Sequence, residues 1–444
     1  MSDTIRIPPR IRSMQVRVVA VLLFIGVVNI LDRAALSVAN PLVRQEMGLS
    51  IAEMGLLLSA FAWAYAFCQL PGGALVDRIG PRRLLGWALV VWSAAQAAVG
   101  IVGSMTQFVL ARAALGVGEA PTFTSALRVI HEWHHVRHRS IPTALCCSSP
   151  ATIAPVIAPP LLTWLMLSFG WRWMFVILGG IGIVAAVVWF QAYRDVRAFD
   201  MNAEETRYLT DNGEVAGRGR TLNFSDWKRL FGFRATWGLM GGFGGINYLG
   251  WLYLAWLPGY LEIERHMSLV KTGVVASIPF VFGFLGTICV SWLSERLIGR
   301  GASPINACRV PLVICMLLAA LCTALAAFAG SDAAAVGAIC GALFFGHGAN
   351  GMSWGVATNT APAECTASLG GMQNFGGYIG SAMAPAVTGF VVQATGTFTP
   401  ALLAGAAISL VAAALYLFLI PNRRIVLPTP ATRPGSPPSG RCRR

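Results

Sequence analysis

Charge is what this 444-residue chain has least of: Asp, Glu, Lys and Arg together make up 12% of it, where a soluble protein carries about 25%. The apolar set makes up 56% and the mean hydropathy is +0.64. A soluble domain cannot bury that much apolar surface while keeping so few charges outside. Soluble enzyme, disordered protein, secreted disulfide scaffold and nucleic-acid binder are excluded as classes. The net charge of +14 fits the basic cytoplasmic loops of a membrane protein, so no nucleic-acid partner is expected.

Other absences narrow the reading. The ten cysteines include no CxxC pair, and Cys68, Cys146, Cys147, Cys289, Cys315, Cys322 and Cys340 fall inside apolar runs. They read as small core residues, with no metal knuckle and no thiol redox site. No nucleophile–base or metal constellation is expected, so an enzyme is not, and no ATP-binding motif or cofactor site is read. His131, His134, His135 and His138 cluster in a solvated basic loop without the acid or thiol that would complete a metal site. Arg6, Arg10, Arg12 and Arg17 precede an apolar stretch, but no small-residue cleavage site follows and Asp32-Arg33 interrupts it. The stretch reads as a retained first helix.

What is present is a series of charge-free runs long enough to cross a bilayer, which takes about 20 residues per helix. Residues 16–39, 51–76, 84–103, 105–128, 140–168, 172–193, 235–260, 270–294, 307–329, 333–361, 367–393 and 400–420 give twelve predicted spans. They must be helical, because backbone groups in lipid need partners within the segment. With both termini cytoplasmic, only Arg44, Arg172, Arg265 and Lys271 of the 33 basic residues face outward. Arg33 and Arg112 lie within the membrane and all others face the cytoplasm, as the positive-inside tendency requires.

The expected organisation is a six-helix half over 1–193, a cytoplasmic loop over 194–234, a second six-helix half over 235–420, and a disordered tail over 421–444, rich in Pro, Arg, Ser and Gly. A weak internal repeat supports the two halves. Gly73-Ala-Leu-Val-Asp77-Arg78-Ile-Gly80-Pro-Arg82-Arg83 follows span 2, and Ser291-Trp-Leu-Ser-Glu295-Arg296-Leu-Ile-Gly299-Arg300 follows span 8. Paired halves of this kind point to alternating access around a midplane site.

The segment Gly73–Arg83 resembles the loop 2–3 signature of the major facilitator superfamily, and the twelve spans and central loop fit that superfamily along nearly the whole chain. Asp32-Arg33 in its context, Trp63-Ala-Tyr65, Gly116-Val-Gly-Glu119-Ala-Pro121, Trp256-Leu-Pro-Gly-Tyr260 and Gln373-Asn374-Phe-Gly-Gly377 resemble the anion:cation symporter family within it. The nearest likeness is to sugar-acid/proton symporters of the galactonate, glucarate and hexuronate type. The fold implied is an all-α membrane protein of two pseudo-symmetric six-helix halves. The implied function is proton-coupled symport of an organic anion, a sugar acid first, at the inner membrane and as a monomer. The alternatives are another carboxylate, such as an aromatic acid or a tartrate-like diacid, and a non-transporting sensor.

Asp32, Arg33, Arg112 and Glu119 are charges inside spans, which are costly and therefore functional candidates by default. Arg112 and Glu119 lie two turns apart, about 10 Å along the axis, so each looks to another helix: Arg33 for Glu119, and Asp32 for Arg112. The resemblance makes Asp32 and Glu119 proton sites and Arg33 the anion site. An entering carboxylate competes for the cation that holds the acid ionised, which links proton and anion binding. Tyr65, Ser353, Trp354, Gln373 and Asn374 are mid-span donors for a polyhydroxy acid. His347 shares a face with Asn350 and Trp354, where it either binds the anion or stands as a neutral ring bonded to a backbone carbonyl. Gly73, Asp77, Arg78, Gly80, Arg82 and Arg83, with Glu295 and Arg296 in the second copy, form the gating set. One departure from the family is in span 5, where Ala151 stands nearest the position that usually supplies a glutamine. Another is His347, where related sequences often have asparagine. Gly241, Gly242, Gly244 and Gly245 are expected to serve close packing of span 7.

Overall fold

The computed structural model describes residues 7–134, 140–143, 145–146, 149–196, 199–210, 229–361 and 366–425. The 194–234 loop is therefore described only in part, and almost all of the proposed tail lies outside these residues. Among the described residues every regular element is a helix. Eight helices are long and apolar enough to cross a membrane. The outward surface of the described residues is built from side chains a soluble protein would hide, such as Trp87, Trp173, Ile101 and Phe418. The charges do the opposite: Asp32, Arg112 and Glu119 are all at most 1% exposed.

Among the described residues the twelve predicted spans are helical, with four departures at their ends and middles. Span 1 runs over Pro9–Met47, a 39-residue helix, so it is about 58 Å long and overshoots the bilayer core at both ends. Span 4 is two helices, Met105–Glu119 and Thr122–Trp133, because Pro121 has no N–H to continue the first. Span 8 is likewise split into Leu269–Val275 and Ile278–Gly299, with Pro279 in the first turn of the second piece. Span 5 is Ser149–Phe169, preceded by a short separate helix, Ser140–Thr143, and carries Pro155, Pro159 and Pro160 inside it. The others are span 2 (Ile51–Ile79), span 3 (Pro81–Val99), span 6 (Trp171–Ala192), span 7 (Arg234–Ile263), span 9 (Pro304–Ala327), span 10 (Asp332–Thr360), span 11 (Thr366–Thr395) and span 12 (Thr399–Leu419).

Small residues let the helices approach. Gly244 on span 7 lies against the backbone of Gly376 on span 11, where an added Cβ would stand 3.0 Å from the Gly376 oxygen. Gly242 and Gly245 meet Tyr416 and Ala412 of span 12. These glycines serve close packing, as expected from their place in an apolar span.

Contacts between the halves concentrate at mid-span and towards the end remote from the chain termini. There Ser37 Oγ donates to the Ala255 carbonyl at 2.7 Å. The Ala52 N–H donates to Gln393 Oε1 at 2.8 Å, so span 11 caps the start of span 2. Gly55 sits on Pro385 and Gly389, and Gly259 beside Asn40. A small cleft between Thr163, Pro258, Glu262 and Thr272 also lies at this closed end.

Candidate functional site

Span 1 and span 4 bring the buried charges together. Arg33 Nε donates to Glu119 Oε2 at 2.8 Å, with side-chain exposures of 10% and 0%. This is the pair expected from the sequence. Glu119 is the last residue of its helix, ended by Pro121, so the break fixes where that carboxylate stands. The other expected pair takes a different form. Arg112 Nη1 reaches the backbone oxygen of Asp32 at 3.5 Å, as does Gln96 Nε2. Neither Asp32 carboxylate oxygen has a hydrogen-bond partner, and neither does Arg112 Nε. Consecutive residues on a helix point about 100° apart, so Arg33 faces Glu119 while Asp32 turns to spans 3 and 4.

The Arg33 guanidinium lies among aromatic rings. Its carbon is 5.0 Å from the Phe61 ring centre and 4.8 Å from that of Tyr65, both on span 2. Arg112 also approaches the Phe61 ring, at 5.4 Å from its centre. From the second half, Trp251 stacks on Phe61 at 6.0 Å and Tyr378 on Tyr65 at 4.3 Å. Tyr378 also accepts a long contact, 3.5 Å, from Arg33 Nη1. Such cation–π contacts hold a guanidinium without neutralising it, leaving its remaining N–H donors for an anion.

The predicted residues of the second half divide. Asn374 lies one turn before Tyr378 on span 11 and is half-buried. Gln373 is fully buried with neither amide atom partnered. Trp354 packs edge-on against Phe243, 5.5 Å between centres. Ser353 Oγ donates to the Asn350 carbonyl at 2.6 Å, and His347 Nδ1 bonds the Leu343 carbonyl at 3.1 Å beside Gly283. The two span 10 side chains are therefore occupied within their own helix, and no contact ties them to Arg33. That helix spells a nucleophile-elbow pattern, Gly351-Met-Ser353-Trp-Gly355, which corrects the expectation of no nucleophile constellation, and also a dinucleotide-type pattern, Gly346-His-Gly348-Ala-Asn-Gly351. Both chemistries need the pattern at a strand-to-helix turn, whereas these residues sit inside one continuous helix.

Of the gating set, Gly80 adopts φ 85° between spans 2 and 3, a conformation that suits glycine. Arg82 Nη2 donates to the Phe190 carbonyl at 2.8 Å, and Trp189 Nε1 to the Arg82 carbonyl at 3.0 Å. Beyond span 6, burial pushes the Asp195 carboxyl up, as does Glu132, while Arg82 and Arg83 draw it down. The loop is thus docked onto the end of span 6. Arg78 is exposed, Gly73 is helical, and the side chain of Asp77 lies outside the described residues. In the second copy, Arg296 covers the Trp292 ring at 4.0 Å and Glu295 is exposed. Ala151's surroundings, His135 and His138 also lie outside the described residues. No metal-binding cluster occurs among those described.

Phe61, Gln96, Trp251 and Tyr378 were not anticipated. Tyr378 follows Asn374 by one turn, and that periodicity was the available signal.

Comparison with known proteins agrees with this architecture. The Major Facilitator Superfamily model matches residues 22–385. A protein of Escherichia coli (strain K12) named "Probable L-galactonate transporter" is 39% identical over 411 residues, covering 93% of this chain and 90% of that one. A Bacillus subtilis (strain 168) protein named "Probable galactarate/D-glucarate transporter" is 33% identical, covering 92% and 93%. A bacterial homolog of the human lysosomal transporter Spinster, solved inward-facing and unoccupied, shares the fold with TM-score 0.71 at 19% identity, covering 92% of this chain and 95% of its own.

Proposed function

We propose that this chain, which belongs to the major facilitator superfamily, is a multi-pass secondary transporter that carries a sugar acid together with protons. Transporter-named relatives along nearly its whole length make an enzyme the wrong class. The single observation that carries the mechanism is the buried Arg33–Glu119 pair. A carboxylate and a guanidinium in a dry interior stabilise each other, and removing either leaves an uncompensated charge. A substrate carboxylate arriving at Arg33 competes with Glu119 for the cation. Glu119, deprived of that partner in a dry site, takes a proton, so anion and proton bind together. Asp32, with no hydrogen bond to its carboxylate, is the second proton acceptor, beside Arg112.

Tyr65, Asn374 and Gln373 supply donors for hydroxyl groups. Trp354, Ser353 and His347 complete the site only if span 10 moves. With both termini cytoplasmic, the Ser37–Ala255 and Ala52–Gln393 contacts close the outer end, and the cycle separates them while the signature loop locks the inner end. The chain would sit in the inner membrane of a bacterium as a monomer, with both halves hinged on 194–234. A carrier of another carboxylate keeps the same Arg33 chemistry with different hydroxyl donors.

The test is uptake by proteoliposomes. Labelled L-galactonate should accumulate when the outside is acid relative to the inside, and a protonophore should abolish that accumulation. A panel of aldonates, aldarates, hexuronates and aromatic acids ranked by thermal shift would name the preferred substrate, since a ligand of the folded state raises apparent stability. Absence of uptake of every carboxylate would favour the sensor.

A further inference from the structure

We infer that Tyr378 is a substrate-positioning residue: its hydroxyl donates to the carboxylate that Arg33 holds, so that the anion is gripped by both halves at once. This rests on the proposed role of Arg33 as the anion site. Arg33 commits Nε to Glu119 at 2.8 Å. Its Nη1 donates to the Tyr378 oxygen at 3.5 Å, where a charged N–H bond to a carboxylate runs at about 2.7–2.9 Å. That contact is loose and easily replaced. A carboxylate oxygen arriving at Nη1 takes the place the phenol oxygen fills. The phenol then turns from acceptor to donor, because a hydroxyl can do either.

The phenol cannot wander far while this happens. Its ring lies 4.3 Å from that of Tyr65, which in turn lies 4.8 Å from the Arg33 carbon. Tyr65 is 3% exposed, so the stack is anchored from below. Tyr378 is half-buried, with Asn374 one turn before it on span 11. Arg33 and Tyr65 belong to the first half and Tyr378 to the second. An anion bridging Arg33 and Tyr378 therefore reports its presence to the second half directly, whereas one bound by Arg33 alone would not.

The experiment compares wild type, Tyr378→Phe, Tyr378→Leu and Arg33→Ala in reconstituted full-length protein, with L-galactonate as probe and D-galactonate, glucarate and glucuronate alongside. Tyr378→Phe keeps the ring stack and deletes the hydroxyl. Losing a hydrogen bond to a charged group weakens binding by about tenfold or more. The dissociation constant and the KM for exchange should rise by that factor, while the exchange rate at saturating substrate and the ligand-free melting temperature stay at the wild-type values. Tyr378→Leu, which also removes the ring, should lower the melting temperature. Wild-type affinity in Tyr378→Phe, with Arg33→Ala unable to bind, overturns the role of Tyr378 and leaves that of Arg33 standing. A fall in affinity matched by a fall in the ligand-free melting temperature of Tyr378→Phe shows a packing role and also overturns it. Unchanged binding in Arg33→Ala, or no carboxylate bound by wild type, overturns the anion site itself and this inference with it.

Discussion

Replacing Glu119 with glutamine separates binding from coupling. The change keeps the shape and an amide oxygen to accept from Arg33 Nε, now at 2.8 Å from the carboxylate, and removes the charge. The donor is still a guanidinium, so the hydrogen bond itself stays charge-assisted, at about 1.5–3 kcal/mol; what is lost is the opposing charge that compensates Arg33 in the dry interior. Two unit charges about 4 Å apart attract by about 4 kcal/mol at an effective dielectric of about 20, and even a third of that is about tenfold in how readily Arg33 turns to an anion. Glu119→Gln should therefore bind substrate at least as well as wild type and exchange it across the membrane, because exchange never requires the proton to leave. It should not accumulate substrate on a pH gradient, since its mimic of the protonated state cannot reset. The assay is proteoliposome transport in two modes, counterflow with internal unlabelled substrate and net uptake driven by a pH gradient alone. Accumulation by Glu119→Gln equal to that of wild type would refute the assignment and move the proton to Asp32. The two acids share Arg33 and Arg112 as neighbours, so a measured pH midpoint belongs to the set rather than to one residue.

Two further outcomes follow from the same geometry. Arg33→Lys should lose substrate binding by about tenfold or more, because a single ammonium cannot serve Glu119 and an anion as a planar fork does; calorimetric titration returning wild-type affinity would contradict it. Gly55→Val puts a Cβ 2.7 Å from the Pro385 oxygen and 3.1 Å from Gly389 Cα, an overpacking that costs about 1–3 kcal/mol in the closed remote end alone. A cysteine at Val38, which lines the small cleft at that end, should then label faster with an impermeant maleimide from outside, and an unchanged rate would show that this contact does not hold the end shut.

The parts of the molecule that were legible in the chain are those where residue type conflicts with surroundings. Asp32, Arg33, Arg112 and Glu119 stand out because an ionised group in an apolar run has no reason to be there but function, and the Arg33–Glu119 pair followed from their spacing. Tyr378, Trp251 and Phe61 did not stand out, because an aromatic residue in a span is ordinarily packing. Only the fold packs rings of spans 7 and 11 onto the two span 2 rings that flank one guanidinium. The Arg112–Asp32 contact failed as a side-chain pair because helix geometry aims consecutive residues apart, leaving the Asp32 carbonyl nearest Arg112. Pro121 and Pro279 were visible in the sequence, yet apolar character continues through both, so each broken span read as one. Ser353 was read as a cavity donor by type, whereas His347 was read either as a cavity donor or as a ring bonded to a backbone carbonyl, and the second is what the structure shows. The helix offers each a carbonyl of its own, Leu343 and Asn350, and polar side chains in an apolar environment take such local partners.

The central claim is that an anion at Arg33 brings a proton to Glu119, and it is tested most directly by following the pH outside proteoliposomes with no gradient imposed. Adding L-galactonate should alkalinise the weakly buffered medium as substrate and protons enter together. The signal should vanish with Glu119→Gln or a protonophore. Uptake of the labelled acid with no change in external pH would contradict the claim.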